Sequence, residues 1–186
     1  MQTRMAIAVE AWDRCKPLGW TLPALAVIVG LALFCPAVEQ YGFRLPSARI
    51  VSAVLHLPCA ESAEGYVIDH PRLAIRVAPA CSGTTFFVLA LLTLFWVWAS
   101  GATGRAPALR ALSAMLAGAY ALTLTANVSR IVLCWGVARV AHSALPERWH
   151  GPIHLAAGFV VLTFFLIVAY AATAWLAGHA KTGGEP

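Results

Sequence analysis

The sequence predicts an all-α integral membrane protein of about four to five transmembrane helices, with a small extracytoplasmic β-hairpin just before a reactive cysteine. Three observations predict it. Of the 186 residues, 60% are hydrophobic and 11% charged, with a mean hydropathy of +0.75, whereas a soluble domain carries about 25% charged residues. Leu18–Val38, Val77–Gly104, Ala111–Ser129 and Leu155–Gly178 contain no charge, and a bilayer crossing needs about 20 such residues. Leu73, Ile75 and Val77 alternate with Arg72, Ala74 and Arg76, the period of a half-buried strand.

The first 17 positions are mixed and basic (Arg4, Arg14, Lys16), which places the N-terminus on the cytoplasmic side. The late, long apolar stretch with no A-x-A site behind it does not fit a cleaved signal peptide. The first span is expected over 18–38, with Pro36 marking its end. Glu39–Val77 is the main hydrophilic segment. Within it, 50–57 is expected as a short interfacial helix, and Tyr66–Ile68 with Leu73–Val77 as a hairpin around Asp69-His70-Pro71. The second span is expected over about 82–100, running outside to inside, with Trp96 and Trp98 at the inner interface. Gly101 to Arg110 is basic and acid-free, a cytoplasmic turn. The third span is expected over 110–129. The apolar piece after Arg130 is short, so 131–145 is expected as an interfacial helix or a short span. Residues 146–152 form a turn-rich connector, and 154–177 is the last span. One membrane domain accounts for residues 1–186.

The net charge of +5 comes from scattered basic residues without aromatic interleaving. Loops that fix orientation explain it, and no nucleic-acid partner is expected. The five cysteines (15, 35, 59, 81, 134) show no CxxC and no metal-ligand spacing. Cys15, Cys35 and Cys134 read as small buried hydrophobes. Cys59 and Cys81 fall near the outer face, where pairing between them would silence either thiol.

Cys81 lies in Pro79-Ala80-Cys81-Ser82-Gly83-Thr84, where an apolar run begins. At a helix start its thiolate gains from the positive dipole end. Arg130 interrupts an apolar region, a costly placement that marks a functional candidate, and a guanidinium stabilises an oxyanion. Asn127 lies on the same helical face. His154 opens the last apolar run and suits proton transfer. In the four-span topology Cys81, Arg130 and His154 all lie at outer span ends, which supplies a nucleophile, an electrophilic stabiliser and a proton carrier. Ser82, Gly83 and Asn127 are the candidate substrate-binding positions; Gly83 admits a close backbone approach. His142, His150 and His154 invite a metal reading, but the glutamate of an HExxH motif is missing, and with Gly151-Pro152 in the connector His150 and His154 need not share a helix. No metal and no cofactor is expected.

Three blocks, Ala80-Cys81-Ser82-Gly83, Ala126-Asn127-Val128-Ser129-Arg130-Ile131 and His154 with Gly158, resemble the exosortase/archaeosortase family of membrane transpeptidases, in the family's order. The chain is similar to a small form such as exosortase K. The resemblance implies an enzyme that recognises a C-terminal sorting signal on exported proteins: a short motif, a transmembrane helix and a basic cluster. It implies cleavage near the motif through a Cys81 thioester, and transfer of the new C-terminus to an acceptor that the sequence does not identify. It further implies a bacterial inner membrane, with the site on the extracytoplasmic side. The substrate's helix is expected to pack against the second and last spans through Gly83, Ala156, Ala157 and Gly158. Two other functions remain open: a non-enzymatic membrane assembly subunit, and a metal-dependent membrane hydrolase using the histidines.

Overall fold

The computed structural model describes residues 21–63, 65–70, 74–78, 82–99, 108–144, 146 and 149–182; at 108, 141–144, 150–151, 154 and 176–182 it describes the backbone alone. The protein is mostly helical, with one small antiparallel sheet.

Helix α1 (Thr21–Phe34) ends at a break, and the helical stretch Val38–Leu55 that follows is turned 88° from it. Pro36 is the cause: it has no N–H to donate, and its ring collides with the carbonyl four residues back. Hydrogen bonds survive on both sides of the break, Cys35 N–H to Leu31 O at 3.0 Å and Glu39 N–H to Cys35 O at 3.1 Å. The expected first span over 18–38 is therefore a shorter helix followed by a sharp turn, with residues 18–20 outside the described part. Cys35, at the turn, is half-buried. Beyond it a π-helical segment, Val38–Arg44, leads into α2 (Leu45–Leu55), which closes on left-handed His56.

Strands β1 (Cys59–Ser62), β2 (Gly65–Ile68) and β3 (Ile75–Val77) form an antiparallel sheet in that order. The register pairs Tyr66 with Val77 and Ile68 with Ile75, the expected hairpin. Strand β1 is an addition that the sequence pattern did not signal.

Helix α3 (Thr84–Ala99) has 16 residues, none of them charged, about 24 Å at 1.5 Å each, just short of the hydrocarbon core. Helix α4 (Ala108–Ala144) has 37 residues, about 55 Å. The boundary expected after Ser129 is absent: α4 passes through Arg130 unbroken, so 131–144 continues the third helix rather than forming a separate piece. No proline interrupts it, and Ile131 has a core of its own to join. Helix α5 (His150–Thr182) likewise begins inside the expected connector. Pro152 sits in its first turn, where the missing N–H costs nothing.

Two cores result. The bundle core joins Leu25 and Ala32 of α1, Phe86, Phe87 and Leu91 of α3, and Met115, Ala119 and Ala126 of α4. Phe43 plugs into it, 5.2 Å from the Phe87 ring and 5.7 Å from Tyr120, and Tyr120 Oη donates to Gly42 O at 2.8 Å. The π-helical segment is thereby pinned to the bundle. The second core joins Ala48 and Val51 of α2, Tyr66, Ile68, Ile75 and Val77 of the sheet, and Ile131 of α4. The far part of α4 is the wall against which the sheet and α2 rest.

Among the described residues, α4 and α5 are long and apolar enough to cross a membrane, and the bent pair beginning with α1 makes a third if it is one broken span. Phe34, Leu155, Phe159 and Phe164 are exposed on the bundle surface, as lipid-facing side chains are. The chain is a membrane protein by these features.

Candidate functional site

A cleft of 320 Å³ opens where the start of α3, the middle of α4 and the π-helical segment meet. Ser82, Gly83 and Thr85 line one wall, Asn127 and Arg130 a second, and Glu39 a third, with Leu162 of α5 behind.

The α3 wall is built by its cap. Phe87 N–H donates to Gly83 O at 2.9 Å, which makes Gly83 the residue before the first turn. Ser82 Oγ accepts from Thr84 N–H at 3.4 Å and lies 3.0 Å from Thr84 Oγ1, so a serine hydroxyl satisfies an orphan donor of the helix start. Cys81 was expected at this cap; the structure gives the role to Ser82 and Gly83, and Cys81 itself lies outside the described residues, adjoining Ser82 in the chain. Gly83 has φ +80°, and a Cβ there would meet Thr123 Cγ2 at 3.2 Å and Asn127 Cγ at 3.4 Å. Only glycine fits this left-handed, closely approached position.

Asn127 is 1% exposed, and its Nδ2 donates to Ser47 Oγ at 3.0 Å. It shares the cleft wall with Arg130 as the spacing predicts, and it also ties α4 to α2. Ser47, fully buried, was not singled out in the sequence; a serine inside an otherwise apolar helix face is the signal that was available.

Arg130 is half-buried. Its stem lies against α5: a Cβ on Gly158 would meet Arg130 Cδ at 3.4 Å and Cγ at 3.7 Å. Gly158 therefore makes room for the arginine. The same holds for Gly83 against α4, so both glycines serve contacts within the chain, and neither is the open helix-packing surface expected for a substrate helix. His154 lies one turn before Gly158 on α5, and its side chain is outside the described residues. Arg130 and the helix start that follows Cys81 thus meet at one cleft, and Gly158, one turn after His154, packs on the Arg130 stem.

Glu39 is the residue that sequence reasoning missed. It follows the charge-free run directly and looked like the beginning of a loop. In the structure its Oε1 is 3.5 Å from Arg44 Nε, five residues on, which is the spacing that a π-helical turn stacks. The ion pair places a carboxylate at the cleft while offsetting its charge.

Cys59 lies on β1 as a free thiol, and burial pushes its pKa above the ordinary value against the opposing pull of Arg49. A protonated thiol is a poor nucleophile, so the shift works against thiolate formation at Cys59. Cys134 is buried, as expected.

Among the described residues no group of three His, Cys, Asp or Glu side chains is arranged to hold a metal. The backbone does place positions 150 and 154 on one continuous helix, the arrangement that Gly151-Pro152 left open in the sequence. No protein-family profile, curated protein or solved structure matches the chain.

Proposed function

We propose that the chain is a membrane cysteine transpeptidase, resembling the exosortase/archaeosortase family, that cleaves a C-terminal sorting signal of exported proteins. The observation that carries the reading is the cleft at which Ser82, Asn127 and Arg130 meet, with Gly158 of α5 against the Arg130 stem. A guanidinium in a polar cleft beside a helix start is the arrangement that oxyanion stabilisation needs.

In this mechanism the Cys81 thiolate attacks the scissile carbonyl, and Arg130 stabilises the oxyanion. The tetrahedral intermediate collapses to a thioester as His154 gives its proton to the leaving amine. An acceptor nucleophile, or water, then attacks the thioester, gives its proton to the now neutral His154 and releases Cys81 as thiolate. The site faces the extracytoplasmic side of a bacterial inner membrane, and α1, α3, α4 and α5 are the four spans. An apolar groove of 450 Å³ between α4 and α5, lined by Ser129, Leu133, Val160 and Phe164, is the place for the sorting helix, since the two glycines are already used within the chain.

The test is processing of a co-expressed tagged substrate. Cys81→Ala abolishes it and Cys15→Ala leaves it intact. Normal processing in Cys81→Ala overturns the enzyme reading and favours an assembly subunit. The shared helix of His150 and His154 favours one second reading, a metal-dependent hydrolase. That reading requires loss of processing with chelator and in His150→Ala; the cysteine mechanism requires neither.

A further inference from the structure

A second cavity of 420 Å³ lies toward the other end of the bundle. Leu94 and Trp98 near the end of α3 line it, with Arg110, Ala114 and Gly118 at the start of α4 and Thr173 on α5. Positions 110, 114 and 118 recur every four residues and so share one face of α4. Ala114 and Gly118 make that face a groove floor. A Cβ on Gly118 would meet nothing nearer than Leu94 Cδ1 at 3.6 Å. The Thr173 hydroxyl is turned back onto its own helix, 2.9 Å from Ala169 O and 2.9 Å from Tyr170 O, so it presents no donor to the groove. Among the described lining residues Arg110 is the one charged group, exposed in the first turn of α4. Among the described residues no carboxylate pairs with it.

The depth of this groove follows from α4. Ala111–Ser129 is charge-free, and Arg110 and Arg130 lie about 30 Å apart along the axis at 1.5 Å per residue, one hydrocarbon thickness. Arg110 therefore sits at headgroup depth on the face of the membrane opposite the cleft, with Trp98 beside it as an interfacial aromatic. The groove runs from that arginine into the hydrocarbon. A guanidinium reinforced by the positive end of a helix attracts a phosphate, and a dry apolar trough below it accepts an acyl chain.

We propose that this groove binds an anionic phospholipid, its phosphate on Arg110 and one acyl chain along Ala114, Gly118 and Leu94. The site is separate from the cleft and does not depend on the chemistry proposed there.

The experiment is native mass spectrometry of the full chain, purified in detergent and titrated with dioleoyl phosphatidylglycerol against dioleoyl phosphatidylcholine. The wild type retains the anionic lipid about fivefold over the zwitterionic one, the effect of one basic residue at a membrane surface. Arg110→Gln brings the ratio to parity, and Gly118→Leu, which fills the trough, lowers retention of both lipids. Arg139→Gln removes another exposed arginine farther along α4, one that stacks on Trp135 at 4.8 Å, and leaves the preference intact. Equal retention by the wild type overturns the proposal. So does a preference that survives Arg110→Gln, or one that Arg139→Gln abolishes equally. A dimer that Gly118→Leu dissociates without changing lipid retention assigns the groove to a second copy and overturns it as well.

Discussion

Arg110 and Arg130 stand on the same helix, at either end of the same charge-free run, and their surroundings differ in every respect that sets the use of a guanidinium. Arg130 is half-buried among Ser82, Asn127 and Glu39, and its stem is held by the gap at Gly158. Its side chain lines a polar cleft. Arg110 is exposed above an apolar trough, where its position matters more than its orientation. A cation held rigidly in a low-dielectric cleft is suited to stabilising developing charge. A loosely held one at the interface is suited to attracting a phosphate.

The sharpest way to break this comparison is to exchange each arginine for lysine, which keeps the charge and removes the planar fork. At position 130 the proposed oxyanion contact is lost, and processing of the tagged substrate should fall about a hundredfold, measured as single-turnover cleavage in proteoliposomes. A rate within threefold of the wild type would show that only charge matters there, and the contrast with Arg110 would collapse.

The glycines provide the next test. Gly158→Val drives a branched side chain into the Arg130 stem and should destabilise the fold by about 1–3 kcal/mol while reducing processing. Gly118→Val adds atoms to an open groove and should leave the thermal unfolding midpoint in detergent unchanged. Equal loss of stability at both positions would mean that the two cavities are packed alike.

Asn127→Leu leaves Ser47 buried without the donor it has now and should cost about 1–3 kcal/mol, read as a lower midpoint; Ser47→Ala in the same background should recover part of it. A smaller effect is expected from Arg110→Lys, which should keep the anionic-lipid preference within about twofold, since a point charge at the surface suffices. The smallest is Cys59→Ala, which should not alter processing. In the wild type, iodoacetamide should modify Cys59 slowly at neutral pH and faster only as the pH rises past the ordinary thiol value of about 8.5, because burial favours its protonated form.

Part of the cleft was legible because its residues break local rules. An arginine in an apolar run with an asparagine three positions earlier, and a Ser-Gly pair at the start of an apolar helix, are anomalies visible without coordinates, and the structure places them around one cleft. The hairpin was legible from alternation at Leu73–Val77. Strand β1 was not, because Cys59-Ala60-Glu61-Ser62 is largely exposed and pairs through its backbone rather than through a buried face. The continuity of α4 was misread for a related reason. A lone arginine looks like the edge of a membrane, but it ends a helix only if the backbone has somewhere better to go. Here Ile131 and Trp135 pack against the sheet, so the helix continues past Arg130 to support it. Glu39 was hidden because its meaning depends on the 88° turn at Pro36, and a proline announces a break without announcing a direction.

Composition and charge-free runs by themselves determined that this chain belongs in a membrane and where its apolar helices lie, because hydrocarbon tolerates few alternatives to a continuous apolar helix. They also placed Arg110 and Arg130 about 30 Å apart along a helix, since helical rise is constant. The tertiary structure alone decided what each arginine faces. It set the glycine gaps that seat Arg130, the serine rather than the cysteine at the α3 cap, and the turn that brings Glu39 to the cleft. Each of these depends on a residue distant in sequence, and the packing energy that selects such neighbours is not encoded in any local pattern.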